Sequence, residues 1–182
     1  IAILASMLLP TLSKARKTAQ GAVCKSNLKQ LGVATEIYLN DSNQYYMSQH
    51  NTQGENVWWY LLDVNGRQSD VFLCPRAAQA TSYKGVENRS YGYNHWLWKD
   101  DTNASKALAP SESFLIGDGQ FTSASLYSRQ IYSDSMADPA TFVHEKLQVN
   151  SLMLDNHVES YSFYNPALKI KHSYYWRLQV EP

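Results

Sequence analysis

Residues 1–40 read IAILASMLLPTLSKARKTAQGAVCKSNLKQLGVATEIYLN, and this stretch decides the fold. Apolar side chains recur along it at intervals of three and four, the spacing of one face of an α-helix. They are Leu4, Leu8, Leu12, Ala15, Ala19, Val23, then Cys24, Leu28, Leu31, Ala34 or Thr35, and Tyr38. Such a helix has about ten turns, whereas an ordinary globular helix has about three. The sequence therefore predicts one long helix whose apolar face runs along its length.

The beginning of this helix differs from the rest. Residues 1–10 are apolar except Ser6 and Pro10. Nine helical residues extend only about 14 Å, so they cannot cross roughly 30 Å of hydrocarbon alone, and we expect them to be the second half of a longer apolar segment. Pro10 is expected to kink or locally melt the helix. Basic residues at 14–17 fit either lipid headgroups or a solvated helical face.

The chain therefore divides into a helix at 1–40 and a head at 41–182. The helix has an apolar half at 1–12 and an amphipathic half at 13–40. The head is predicted to be rich in short β-strands. Its predicted elements are a short helix at 57–62, strands at 71–75, 90–94, 113–118 and 126–132, a hairpin of 149–154 and 157–163 around the two-residue loop 155–156, and an edge strand at 174–176.

Composition excludes some classes of function. The 182 residues fit one domain, and 44% apolar against 18% charged residues argues against general disorder. Sixteen basic residues balance sixteen acidic ones, so the basic excess typical of a nucleic-acid binder is missing. The chain has two cysteines, Cys24 and Cys74, without close metal or haem spacing. Taken alone, they fit one disulfide or two buried thiols equally well.

Three stretches resemble proteins with type IV pilin amino termini, in the bacterial subgroup with a carboxy-terminal His, nine residues, then Asp-Gly. The first is residues 1–16, similar to the second half of the pilin transmembrane helix with its proline. The second is Cys24-Lys25-Ser26-Asn27-Leu28-Lys29-Gln30-Leu31-Gly32 with Phe72-Leu73-Cys74-Pro75 downstream. The third is His144 followed by Asn150-Ser151-Leu152-Met153-Leu154-Asp155-Asn156-His157-Val158. This third stretch departs from the pattern, since ten residues separate His144 from Asp155 and Asn156 replaces the usual Gly.

The resemblance implies an α+β fold in which a long amino-terminal helix packs on a small antiparallel sheet. It also implies a disulfide between Cys24 and Cys74. The implied function is a non-enzymatic subunit of an extracellular filament at the cell surface, held in the inner membrane with a periplasmic head before assembly. Its implied partners are copies of itself and the pilus or type II secretion assembly machinery. The residues expected to mediate assembly are Ile1, Ile3, Leu4, Met7, Leu8, Leu9, Pro10 and Leu12.

Two other functions stay open. An anchored enzyme or metal protein would draw on His144, Asp155 and His157, with Asp118 and Asp134 elsewhere. Asp155 and His157 flank one tight turn, although an Asp there more often satisfies backbone donors. A pseudopilin or a minor tip subunit would instead bind a surface or glycan through its tryptophans. No catalytic motif and no cofactor site is predicted.

Overall fold

The computed structural model describes residues 2–47, 58–62, 70–76, 90–94, 97, 103–107, 109–118, 130–131, 144 and 148–162. Within them the chain has the predicted α+β arrangement, a long helix packed against a small sheet. The helices are α1 (Ala2–Asp41) and α2 (Trp58–Leu62), with 3-10 turns at Asp70–Phe72 and Ala104–Lys106. The strands are β1 (Tyr91–Asn94), β2 (Phe114–Asp118), β3 (Gln130–Ile131), β4 (Gln148–Met153) and β5 (Val158–Ser162).

The sheet has the strand order β3-β1-β2-β4-β5. Strands β1, β2, β4 and β5 pair antiparallel, as predicted, and β3 adds a parallel edge strand beside β1. Tyr91 is opposite Asp118 across β1 and β2, and Leu152 is opposite Val158 across β4 and β5. Because β4 follows β2 in the sheet, Asn150 and Asp118 come from neighbouring strands. This register places the polar site described below.

Helix α1 carries two apolar stripes on different faces, not the single stripe that the sequence predicted. Val23 is 48% exposed, whereas the next residue, Cys24, is fully buried. Each residue turns a helix by about 100°, so the spacing pattern changes faces at this pair. The buried stripe runs from Cys24 through Leu28 and Leu31 to Leu39. The other stripe faces away from the core.

The carboxy-terminal half of α1 covers the core of the head. Trp58 lies fully buried there and stacks on Tyr93, with ring centroids 5.6 Å apart. The edge of the Phe72 ring meets Trp58 at 5.9 Å. Leu28 and Leu31 of α1 belong to the same buried cluster. Helix α1 and the head therefore share one hydrophobic core.

The ends and kinks of α1 follow only part of the sequence prediction. The helix continues through Pro10, so this proline does not melt it. It ends at Asp41, one residue past the predicted boundary at residue 40. Ser42 N–H still donates to the carbonyl of Tyr38, while Asn43 and Gln44 adopt positive φ, which ends the helix.

Two predicted elements of the head need correction. Residues 71–75 do not form a strand, because Leu73 N–H donates to Asp70 O and closes a 3-10 turn. The apolar run is explained by the burial of two consecutive side chains, Val71 and Phe72. The hairpin loop has three residues, because Met153 N–H already pairs with His157 O.

The other predicted elements are largely placed as expected. The helix at 57–62 and the strands at 90–94 and 113–118 correspond to α2, β1 and β2. Of the strand predicted at 126–132, the described part is β3. The edge strand predicted at 174–176 lies outside the described residues.

Candidate functional site

The first candidate site is the exposed beginning of α1. Every described side chain from Leu8 to Ala19 is exposed, and Leu8, Leu9 and Leu12 are 66–68% exposed. Isolated exposed leucines are common, but three within two turns form an apolar patch. Pro10 lies between them, exposed as well. Of the other residues predicted to mediate assembly, Ile1 and the side chains of Ile3, Leu4 and Met7 lie outside the described part.

This patch continues along the outer face of the helix. Ala15, Ala19 and Val23 follow Leu12 at intervals of three and four, and Val33 and Ile37 are 56% and 59% exposed further along. At 100° per residue these positions fall within one 80° sector, roughly opposite the buried stripe. We call this set the outer stripe. Part of α1 thus packs on the head with one face and leaves a second apolar face uncovered.

The helix is tied to the head where its exposed half ends. Cys24 and Cys74 form the disulfide implied by the pilin resemblance. One turn further, Asn27 Nδ2 donates to Leu73 O at 3.0 Å. The Tyr91 hydroxyl donates to Cys24 O at 3.3 Å, and burial, with the nearby Asp118 carboxylate, raises the pKa of Tyr91 well above its ordinary value. The hydroxyl therefore stays protonated and keeps its donor role.

The second candidate site is a buried polar cluster beside this disulfide. Asp118, at the end of β2, is fully buried and its carboxylate accepts three hydrogen bonds. They come from the Asn150 backbone N–H at 2.7 Å, the Asn150 side-chain amide at 2.8 Å and His144 Nε2 at 2.6 Å. These donors compensate a buried carboxylate. The Nε2–H tautomer of His144 is the one that can donate here.

His144 also reaches the disulfide and the helix. Its Nε2 lies 3.9 Å from Cys74 Sγ, and its Nδ1 lies beside Gly21 of α1. Among the described residues, the only group of three or more His, Cys, Asp and Glu side chains that could hold a metal ion is Cys24, Cys74, Asp118 and His144. Their ligand atoms all lie within 4.8 Å of one another. The two cysteines are fifty residues apart in sequence, so their spacing gave no sign of this group.

The predicted set of His144, Asp155 and His157 is not brought together. His144 contacts Asp118, whereas Asp155 and His157 pair with each other at the β4–β5 turn. Asp155 Oδ1 also accepts the His157 backbone N–H. Slight burial raises the pKa of Asp155, but the hydrogen bonds and charge of His157 outweigh it and hold the pKa below its ordinary value. Asp155 thus caps the turn; Asp134 lies outside the described residues.

Only one of the five tryptophans that could form a surface- or glycan-binding site has a described side chain. Trp58 is buried in the core and is not available to a ligand. The side chains of Trp59, Trp96, Trp98 and Trp176 lie outside the described part.

Comparison with protein-family models, with curated proteins and with solved structures gives no significant match. Among the described residues, no helix is both long enough and apolar enough to cross a membrane. Function is therefore argued from the two sites themselves.

Proposed function

We propose that the chain is a non-enzymatic structural subunit of a type IV pilus-like extracellular filament, and that it polymerises through the exposed half of α1. The observation that carries this proposal is the two-thirds exposure of Leu8, Leu9 and Leu12, in a part of α1 where every described side chain is exposed. The pilin-like residues of the sequence support it. A purely soluble monomer gains nothing from such a patch.

The driving force is the removal of this patch from water. Fully burying a leucine side chain contributes about 1.5–3 kcal/mol, so three leucines contribute roughly 5–9 kcal/mol per subunit as an upper bound. Ordering and association entropy reduce this sum. Before assembly the same residues lie in the inner membrane with the head in the periplasm. The pilus or type II secretion machinery then transfers them to a bundle of copies.

The outer stripe fits this packing. A helix inside a bundle needs apolar residues on the side that faces its neighbours, and the buried stripe is already occupied by the head. Val23, Val33 and Ile37 extend the outer stripe along the half of α1 that packs on the head. Repetition of one such contact without closure gives a helical polymer.

The attachment of α1 to the head suits a subunit under tension. A pull on the exposed half of α1 is transmitted to the head through contacts at residues 24–29. There the disulfide and the Asn27 amide connect the helix to residues 73–74, and the Lys29 ammonium, which donates to Asn156 O at 2.7 Å, connects it to the β4–β5 turn. The covalent link carries load even if the noncovalent contacts open.

The proposal is tested by the critical concentration for assembly, measured by ultracentrifugation of a dilution series with electron microscopy of the pellet. Replacing Leu8 and Leu12 with Ser should raise the critical concentration about tenfold or more, because each tenfold change corresponds to 1.4 kcal/mol. The matched control replaces Leu61 and Leu73, which are 39% and 38% exposed on the head, with Ser. It should assemble like the unaltered chain.

Equal critical concentrations in both variants would contradict the proposal. Microscopy also separates the related roles. Long filaments of this chain alone indicate a major pilus subunit. Short fibres indicate a pseudopilin, and a single copy at a fibre end indicates a tip subunit that binds a surface or glycan.

A further inference from the structure

We propose that the chain, when its disulfide is reduced, binds one thiophilic divalent metal ion such as Zn²⁺ through Cys24, Cys74, Asp118 and His144. The metal ion and the disulfide are then two alternative cross-links between α1 and the head. This inference does not depend on the filament proposal, because it concerns the buried cluster and not the outer stripe.

The donor set fits zinc. Two thiolates, one imidazole and one carboxylate are the ligand types that Zn²⁺ takes in tetrahedral sites. All four ligand atoms already lie within 4.8 Å of one another, and the described parts of their side chains are at most 9% exposed. They come from α1, from the segment after the first 3-10 turn, from β2 and from the loop before β4. A metal ion here would join four segments.

The main change that metal binding needs is a separation of the two sulfurs. A disulfide holds its sulfurs about 2 Å apart. Tetrahedral bonds of about 2.3 Å separate two thiolate sulfurs by about 3.8 Å. Cys74 Sγ already lies 3.9 Å from His144 Nε2, close to the separation of two ligands on one ion. Reduction frees the sulfurs to separate, and the ion replaces the proton between His144 and Asp118, whose contact of 2.6 Å widens slightly.

Charge and protons balance. A phosphine takes up oxygen from water as it reduces the disulfide, giving a phosphine oxide and two thiols. Zn²⁺ binding then releases the two thiol protons to the buffer, and His144 moves its proton from Nε2 to Nδ1. The two positive charges of the ion offset the two thiolate charges that form. The buried cluster therefore gains no net charge, which keeps the desolvation cost low.

Hydrogen bonds that would hold the Asp118 ligand in place are already present. The Asn150 amide and backbone N–H groups hold the Asp118 carboxylate, and Ser160 Oγ–H donates to Asn150 Oδ1 at 2.7 Å. Such outer contacts orient metal ligands and typically change affinity about 10–100-fold. None of these hydrogen bonds involves a sulfur atom.

The test titrates Co²⁺, a spectroscopic substitute for Zn²⁺, into the chain reduced with a phosphine without oxygen. We expect one equivalent to bind with sulfur-to-cobalt charge-transfer absorption and tetrahedral d–d bands, and Zn²⁺ to displace it. The oxidised chain should show neither signal. His144→Gln should weaken binding about tenfold or more, while His157→Gln, an exposed control outside the cluster, should leave it unchanged.

Circular dichroism on the same samples shows whether the reduced chain unfolds, and so keeps the test valid in that case. If Co²⁺ or Zn²⁺ restores the helix signal of an unfolded reduced chain, the proposal is supported, because metal binding is then coupled to folding. A reduced chain that shows no charge-transfer band with Co²⁺, folded or not, overturns it. So does His144→Gln binding as tightly as the unaltered chain, since the cysteines would then act without the cluster.

Discussion

Gly32 and Asn156 provide a sharp test of how α1 lies on the β4–β5 hairpin. Gly32 is buried on α1, and a Cβ built there would collide with Oδ1 of Asn156 and lie 3.1 Å from Leu152 Cδ1. Gly21, earlier on the same helix, has room for a methyl group, since a Cβ built there would lie 3.7 Å from His144 Nδ1. We therefore expect Gly→Ala to have opposite effects at the two positions.

The magnitudes follow from two opposing effects. Alanine in a helix is about 1 kcal/mol better than glycine, whereas overpacking a core costs about 1–3 kcal/mol. Gly21→Ala should therefore raise the free energy of unfolding by up to about 1 kcal/mol. Gly32→Ala should lower it by up to about 2 kcal/mol.

Asn156→Gly should remove the penalty at Gly32. Asn156 has a φ of 65°, which glycine adopts freely, and among the described residues its Oδ1 is buried without a hydrogen-bond donor. In the Asn156→Gly background, Gly32→Ala should therefore become neutral or stabilising. The coupling between the two substitutions should be about 1–3 kcal/mol, as for residues in direct contact.

Urea unfolding of the four chains of this cycle, followed by circular dichroism, measures the coupling. Gly21→Ala combined with Asn156→Gly is the control pair and should be additive within about 0.5 kcal/mol. If Gly32→Ala stabilises the unaltered chain as much as Gly21→Ala does, the close approach of helix and turn is wrong.

Three further predictions concern the contacts that hold the head together. Replacing Cys24 and Cys74 with Ser should lower the free energy of unfolding by about 4 kcal/mol in the chain-entropy model of a fifty-residue loop. Urea unfolding measures this loss, and an unchanged free energy would refute the prediction. Asn150→Ala should lower the free energy of unfolding, measured by calorimetry, by about 1–3 kcal/mol, because Asp118 loses a hydrogen-bond donor. A change within about 0.5 kcal/mol, the size of an ordinary surface substitution, would contradict the hydrogen bonding described for the cluster. The depressed pKa of Asp155 contributes stability that is present above its unfolded pKa of about 3.9 and is lost as pH falls through the folded pKa. Asp155→Asn should therefore make the free energy of unfolding fall less steeply at acid pH. An identical fall in both chains would contradict the pairing of Asp155 with His157.

The long helix was readable from the sequence because helical spacing is a local property. The spacing of Leu28 and Leu31 predicted that both lie on one apolar face of the helix, and both are buried. The change of face at Val23 and Cys24 was missed, because two stripes joined by adjacent apolar residues look like one when intervals alone are counted. Angular position around the helix, at 100° per residue, separates them.

The polar cluster was harder to predict because it is a product of tertiary structure. Asp118 and His144 are 26 residues apart, and Cys24 is 120 residues from His144. Only the order of β2 and β4 in the sheet brings Asn150 beside Asp118. The short strand predicted at 71–75 failed for a related reason, since burial of two consecutive side chains is compatible with a strand or with a 3-10 turn.

Solvent access to Leu8, Leu9 and Leu12 in assembled material tests the filament account most directly. Hydroxyl-radical footprinting read by mass spectrometry compares their oxidation in dispersed chains and in sedimented fibres. Leu61, similarly apolar but on the head, serves as the internal reference. We predict that the three α1 leucines lose most of their labelling in the fibres while Leu61 keeps its own. Equal labelling of the α1 leucines in both states would contradict assembly through this half of the helix.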